Sequence, residues 1–139
     1  MAHELVLLDS DALVGWLTTT DLHHLRAVER FEFLKQQRMQ PVVTNLVIAE
    51  TATLLSYRQG PDAARQFVAF ARSLKTIFIT EQLHADTVLL FSQQTRSKTS
   101  FVDMANVVAL RTFDIPLIFA FDNVYARDFN LPVLTPDFA

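Results

Sequence analysis

The stretch Leu5-Val6-Leu7-Leu8-Asp9-Ser10-Asp11 (residues 5–11) is a short, unbroken apolar run that ends at an acidic residue. Four consecutive apolar residues without polar alternation are typical of a strand that is buried on both faces, as in a parallel sheet. The residues that follow, from about 12 to 17, are predicted to form a short helix. A buried strand that leads directly into a helix indicates an α/β fold.

Similar apolar runs recur along the chain and alternate with helical patterns. Further strands are predicted at 41–43, 76–79, 116–121 and 132–134, and helices at 21–38, 44–57, 81–95, 101–113 and directly after Gly60-Pro61. Within 21–38, the apolar positions recur every three residues and predict the buried face: Leu25, Val28, Phe31 and Leu34. Strands separated by helices form parallel sheets with right-handed crossovers. We therefore predict a short open parallel sheet of four to five strands with helices on both faces.

The composition fits one intracellular enzyme-sized domain, spanning residues 1–139. Half of the residues are hydrophobic and 19% are charged, which excludes a disordered chain, and the absence of cysteine excludes disulfides and thiolate zinc sites. The net charge of −3 argues against a strongly basic nucleic-acid binder. Residues 1–4 lack the basic start of a signal peptide, and no apolar run approaches the roughly 18 residues of a membrane span. We expect a soluble, cytoplasmic protein without a membrane partner.

Four acidic residues are candidates for chemistry, and each also has a structural explanation. Asp9 and Asp122 end predicted strands, where Asp commonly caps a helix or forms a turn. Asp103 completes the capping-box pattern that begins at Ser100. Glu50 lies about two turns into a helix on a partly apolar face, where a carboxylate needs a partner.

Taken together, the four acids point to a metal site. In a parallel sheet, the carboxyl ends of the strands lie at one edge, so Asp9, Glu50, Asp103 and Asp122 are expected to converge there. Converging carboxylates without cationic partners repel one another and raise one another's pKa. Mg²⁺ or Mn²⁺ relieves this repulsion, because these ions prefer oxygen ligands and need few carboxylates. Such a site suits phosphoryl chemistry.

Four motifs carry a resemblance to a known family, and they stand in the order Leu7 to Leu13, Thr44 to Glu50, Ser100 to Asp103 and Phe119 to Asp122. Over nearly the whole chain, the sequence resembles the PIN-domain nucleases and, within them, the small toxins of the VapC type. The resemblance implies a PIN-like fold in which Asp9, Glu50, Asp103 and Asp122 are the metal-binding acids. It also implies metal-dependent cleavage of RNA phosphodiesters by the toxin of a toxin–antitoxin pair.

Two features of the last loop depart from the family pattern. Ala120 stands where the family often has Ser or Thr, two residues before the last acid. The family often continues into a basic residue and an early Phe, whereas residues 123–129 delay the Phe to Phe129. Both departures concern the loop and the substrate preference, and neither removes an acid.

The remaining charge predicts only modest attraction for RNA. Removing the four acids from the fifteen leaves eleven against twelve basic residues, a net charge of +1. RNA would be held mainly by the metal and by a few local cations. Arg96 and Lys98, which precede the Asp103 helix, are the candidates, with a solvated loop as the alternative. His23 and His24 are interpreted as surface or rim histidines.

Two other functions were considered from the same residues. One is a non-catalytic binding or scaffold module on the same PIN-like fold. The other is an aspartyl phosphatase in which Asp9 is the nucleophile and Asp11 the general acid; Lys75 and Lys98 are poorly placed for it. Ser10, Thr44 and Ser100 are interpreted as caps or as donors that orient acids, not as nucleophiles.

The resemblance also implies a small antitoxin partner. A segment of such a partner would lie in an apolar groove near the active edge, which Trp16 and Leu17 are hypothesised to line. Self-association into a homodimer is expected for a small, apolar-rich domain.

Overall fold

A computed structural model describes residues 3–135 of this chain. The two ends of the predicted domain, residues 1–2 and 136–139, lie outside the described residues. The prediction that residues 1–4 do not begin a signal peptide therefore falls partly outside them as well. The elements in chain order are β1 Leu5–Leu8, α1 Ser10–Leu17, α2 His24–Gln36, β2 Gln40–Thr44, α3 Asn45–Gln59, α4 Pro61–Ala71, β3 Lys75–Ile77, α5 Glu81–Ser92, α6 Phe101–Thr112, β4 Leu117–Phe119 and α7 Val124–Phe129.

The four strands form one parallel sheet in the order β3-β2-β1-β4. The strand β1 is central, and its Leu7 pairs with Val42 of β2 and with Ile118 of β4. The predicted α/β class and open parallel sheet are confirmed. The carboxyl ends of all four strands therefore lie at one edge of the sheet, which is called here the carboxyl edge.

The alternation of side chains along β1 divides the core between the two faces of the sheet. Val6 and Leu8 belong to a cluster with apolar residues of α1 to α4, whereas Leu7 belongs to a second cluster with residues of α6 and α7. All three side chains are fully buried. A strand buried on both faces has no place for a polar residue, which is why this run is continuous.

The connection between α3 and α4 agrees with its sequence signal. The helix α3 ends at Gly60, whose φ of 99° lies in the left-handed region that glycine adopts without strain. Pro61 then starts α4, where its missing N–H has no helical partner to lose. The longest described helix is α3. No helix within residues 3–135 has the length and apolar character needed to cross a membrane.

Several predicted elements differ from those of the structure, among them the strand 116–121, which spans only Leu117–Phe119, and the helix 21–38, which spans His24–Gln36. The interval 132–134 is not a fifth strand, because only Val133 forms a bridge, with Ile118, and Pro132 has no N–H to extend the pairing. The helix α5 ends at Ser92 and not at residue 95. The segment after Asp122, expected to be a turn, contains the helix α7.

The buried face of α2 also differs from the prediction. Leu25 and Val28 of the predicted face are 81% and 43% exposed, whereas Leu34 is buried as predicted, together with Ala27 and Arg30. A spacing of three residues drifts around a helix that has 3.6 residues per turn. The small Ala27 faces Gly15 of α1, so the two helices approach closely at this point. Compared with the prediction, α2 is therefore rotated about its axis so that Ala27 faces α1.

Candidate active site

The four predicted acids all lie at the carboxyl edge of the sheet. Asp9 directly follows β1 and caps α1, and Asp122 follows β4 by three residues. Asp103 is in the first turn of α6, and Glu50 is in the second turn of α3. Two of them are therefore helix-capping residues as well as candidate site residues.

The side chain of Asp9 is held by three hydrogen-bond donors in the interior. Its side chain is only 3% exposed. Its Oδ1 accepts hydrogen bonds from the backbone N–H of Ser10 at 2.8 Å and from Nδ2 of Asn106 at 3.2 Å. Its Oδ2 accepts one from the Tyr125 hydroxyl at 2.8 Å. This carboxylate is rigidly positioned.

Asp103 is linked to Asp9 through the same tyrosine. Its Oδ2 accepts the backbone N–H of Ser100 at 3.0 Å, and the Ser100 hydroxyl accepts the N–H of Asp103, so the predicted capping box is present. Its Oδ1 is 3.3 Å from the Tyr125 hydroxyl oxygen. One buried phenol oxygen therefore lies between the two carboxylates.

Two residues of the site, Tyr125 and Asn106, are not among those predicted from the sequence. Tyr125 is fully buried on α7, and Asn106 is fully buried on α6, where its Nδ2 donates to the Tyr125 hydroxyl at 3.0 Å. The only sequence signal for Asn106 is its position three residues after Asp103, on the same helical face. Tyr125 lies three positions after Asp122, within the segment that was expected to be a turn.

Glu50 joins the site through Ser10. The Ser10 hydroxyl donates a hydrogen bond to Oε1 of Glu50, and the backbone of the same serine holds Asp9. Ser10 is buried and Glu50 half-buried. The interpretation of Ser10 as a donor that orients an acid agrees with this contact.

Asp11 fixes the loop that carries Asp122. Its Oδ2 accepts the backbone N–H groups of Phe121 and Asp122, each at 2.9 Å. Asp122 is exposed, and its own Oδ1 accepts the N–H of Val124 at 2.9 Å. Because Asp11 is turned to backbone amides and Asp9 is buried, the pair does not present the nucleophile and free general acid that a phosphatase needs.

The acids raise one another's pKa. Burial raises the pKa of Asp9 well above its ordinary value, and the charges of Asp11 and Asp103 raise it further. Burial also raises the pKa of Asp103, with a contribution from Asp122. The pKa of Asp11 rises to about 6, mainly through burial. A cation bound among these groups would relieve the repulsion and favour their ionised forms.

The side chains fit a hydrated hard cation better than a fully protein-ligated one. Within residues 3–135, no group of three or more His, Asp or Glu side chains is arranged to hold a metal ion. Each of the four acids accepts at least one hydrogen bond from within the chain. Asp9 and Asp103 nevertheless form an all-oxygen pair, and Oδ1 of Asn106 is a buried amide oxygen without a partner. Mg²⁺ keeps several waters and needs only one or two carboxylates, so these residues fit it.

Replacing Asp11 with Asn is expected to stabilise the metal-free protein at pH 7 and to weaken its pH dependence. Asn keeps an oxygen for the two backbone N–H groups and removes a charge whose Oδ1 is buried without a partner. Because the folded pKa of about 6 exceeds the unfolded value of about 3.9, the wild type loses stability as pH rises from about 4 to 6. That loss is about 2–3 kcal/mol and persists at neutral pH.

The measurement is urea unfolding in EDTA at a series of pH values from 4 to 8. Asp62→Asn is the matched control, because Asp62 is exposed on α4. An Asp11→Asn variant that is less stable than the wild type at pH 7, with the same pH profile, would contradict the assigned burial cost.

Two further expectations about surfaces need correction. Trp16 lines an apolar cavity of about 880 Å³ with Arg38 and Pro41, which lie at the amino end of β2 and so away from the acids. Leu17 is not among its lining residues, so this cavity is not the expected groove near the active edge. Arg96, one of the two cations expected to hold RNA, forms a salt bridge with Asp128 at 2.9 Å, and Arg127 shares the same carboxylate.

Known structures share this fold. No family model and no curated protein matches the sequence. The chain is similar to VapC20 from Mycobacterium tuberculosis, described as a sarcin–ricin loop cleaving toxin, with 22% identity and a TM-score of 0.78 over 87% of this chain and 92% of that one. It is also similar to a chain of VapBC2 from Rickettsia felis bound to a promoter DNA fragment, with 12% identity and a TM-score of 0.68 over 94% and 97% of the two chains.

A third similar structure is a toxin–antitoxin complex from Klebsiella pneumoniae, with 14% identity and a TM-score of 0.64 over 94% of this chain and 97% of that one. All three similarities cover most of both chains. Identities of this size establish the fold and not the activity. The chain therefore has the α/β fold of the PIN-domain toxins of the VapC type.

Proposed function

We propose that this protein is a Mg²⁺- or Mn²⁺-dependent endoribonuclease and the toxin of a toxin–antitoxin pair. The observation that carries the proposal is the pair of carboxylates of Asp9 and Asp103, joined by the Tyr125 hydroxyl at the carboxyl edge of the sheet. The fold shared with a toxin that cleaves the sarcin–ricin loop supports the same activity for this chain.

In this proposal, the chain supplies carboxylates that differ in burial and in their hydrogen bonds. Asp9 and Asp103 are the residues that would hold the ion, because hydrogen bonds fix both of them. Glu50 and Asp122 are more accessible and would orient water or the leaving group. When bound, the metal would lower the pKa of a water molecule and offset charge on the leaving oxygen.

A small antitoxin is the proposed partner. One of the similar structures is described as a toxin–antitoxin complex, and another as VapBC2 bound to a DNA fragment from its promoter. A partner segment that covers the acids would block access of metal or RNA. A homodimer and a cytoplasmic location remain predictions; exposed apolar side chains on α5, among them Leu89 and Phe91, provide one surface for a second copy.

The alternative is a binding module with the same fold and no catalysis. It is favoured by the finding that no three acids within the described part of the chain stand ready to hold one ion. The two functions differ in whether the protein cleaves RNA at all. For the nuclease, that cleavage should require a metal ion.

Cleavage of a pool of structured RNAs by the pure protein tests the proposal. We expect cleavage with Mn²⁺ or Mg²⁺, none in EDTA, and recovery when excess metal is restored, because ionised Asp9 and Asp103 need a counter-ion. The products would be separated on a denaturing gel. Cleavage that persists in EDTA would rule out metal dependence, and the absence of both cleavage and metal binding would leave the binding module.

A further inference from the structure

A cluster of positive charge lies directly beside the acids and has no carboxylate partner. The guanidinium carbons of Arg26 and Arg30 lie 5.2 and 4.7 Å from the centre of the Phe121 ring. The imidazole of His23 stacks on the same ring at 4.3 Å with an angle of 8° between the planes. These four residues are called here the Phe121 platform.

The charges of the platform are not neutralised within the protein. Other arginines pair with acids, as Arg58 does with Asp21 and Arg96 with Asp128, but within residues 3–135 neither Arg26 nor Arg30 forms a salt bridge. Arg30 is only 8% exposed, and its Nε is buried without a hydrogen-bond partner. A buried guanidinium without an acceptor is costly and is ordinarily paired.

The groups around the platform do not supply the missing negative charge. Arg26 and Arg30 repel each other, and Nη2 of Arg26 donates a hydrogen bond to Nδ1 of His23. Burial lowers the pKa of His23, and the charges of Arg26 and Arg30 lower it further, so this neighbour supplies no negative charge to either arginine. Glu29 and Asp11 act on Arg30 only at a distance, without a contact. The first turn of α2, where the helix dipole is positive, carries no acid.

The platform is continuous with the candidate active site. Phe121 directly precedes Asp122, and its backbone N–H is bound by Asp11. His23 lines a cavity of about 320 Å³ together with Ser10 and Asp11. An RNA strand that passes from the acids toward His23 would next contact Arg26 and Arg30.

We propose that Arg26 and Arg30, held on the Phe121 ring, bind a backbone phosphate of single-stranded RNA next to the bond that is cut. This inference rests on the proposed function and names its substrate contacts. A phosphate oxygen supplies the negatively charged acceptor that both guanidinium groups lack, and arginine binds phosphate through paired N–H groups. The platform is preferred to Arg96 as the RNA-binding cation, since Arg96 contacts a carboxylate and the two platform arginines do not.

Binding of a fluorescein-labelled single-stranded oligoribonucleotide, measured by anisotropy in EDTA over a series of KCl concentrations, tests the inference without cleavage. For Arg26→Gln, we expect a three- to tenfold weaker affinity and a slope of log affinity against log salt that is smaller by about 0.7. Arg26→Lys should keep most of the slope, because it retains the charge. Arg30→Lys tests the second contact while keeping a charge at the buried position.

Arg111→Gln is the matched control. Its guanidinium also lies over an aromatic ring, that of Phe129 at 5.2 Å, but it is in the last turn of α6, at the end opposite Asp103. The control should bind RNA with the affinity and salt slope of the wild type.

An Arg26→Gln variant with unchanged affinity and slope would overturn the inference, as would an equal loss in the Arg111→Gln control. If the wild type cleaves RNA while the variants bind normally, the inference fails and the proposed function stands. If the wild type neither binds nor cleaves RNA, both fail. Urea unfolding of each variant shows that the loss is not one of folding.

Discussion

Asp103→Asn is expected to slow metal-dependent RNA cleavage by about a hundredfold or more without unfolding the protein. The substitution removes one of the two charges that would hold the metal, whose stabilisation of the transition state is worth several kcal/mol. Each 1.36 kcal/mol corresponds to a factor of ten in rate. The fold should persist, because the amide oxygen of Asn can still accept the backbone N–H of Ser100 in the capping box.

The rate would be measured from single-turnover cleavage at saturating Mn²⁺, beside calorimetric titration of the metal. Asp62→Asn is the control, since Asp62 is exposed in the first turn of α4. Cleavage by Asp103→Asn at the wild-type rate, with metal still bound, would show that this carboxylate has no part in the chemistry.

Tyr125→Phe is expected to weaken Mn²⁺ binding by about 10- to 100-fold and to destabilise the metal-free protein by about 1–3 kcal/mol. The ring is fully buried and phenylalanine preserves it, so the change removes only the hydroxyl. Oδ2 of Asp9 then loses its donor, and the link between Asp9 and Asp103 is lost. A buried carboxylate oxygen without a donor accounts for the loss of stability.

Calorimetric titration with Mn²⁺ and urea unfolding in EDTA separate these two effects. Tyr57→Phe is the matched control, because Tyr57 is 83% exposed on α3 and removal of its hydroxyl should change neither quantity. If Tyr125→Phe binds Mn²⁺ as the wild type does but is less stable, the hydroxyl contributes to the fold and does not position the metal ligands.

The capping explanations of Asp9 and Asp103 were both correct, and they do not compete with a role in the site. A cap places a carboxylate at the start of a helix, and in a parallel α/β fold these helix starts lie at the carboxyl edge. The same local rule that satisfies backbone N–H groups therefore brings the two acids together. Sequence patterns could predict this because the capping signal is local.

Tyr125, Asn106 and the Phe121 platform could not be predicted in the same way. Their contacts join residues that are far apart in sequence, such as Asn106 and Asp9, which are 97 positions apart. A tyrosine in an expected turn has no local signal that distinguishes a buried hydrogen bond from an exposed side chain. The rotation of α2 that buries Arg30 depends on the close approach of Ala27 to Gly15, which no periodicity contains.

The sequence by itself determined the alternation of strands and helices, the parallel sheet and the positions of the four acids, because hydrophobic periodicity, caps and turns act over a few residues. Only the tertiary structure decided which partners those acids have, that Asp11 holds the last loop, and that Arg26 and Arg30 lie unpaired beside the acids. The physical reason is that hydrogen bonds and ion pairs between distant segments form only after the packing of the helices on the sheet has fixed which side chains face one another.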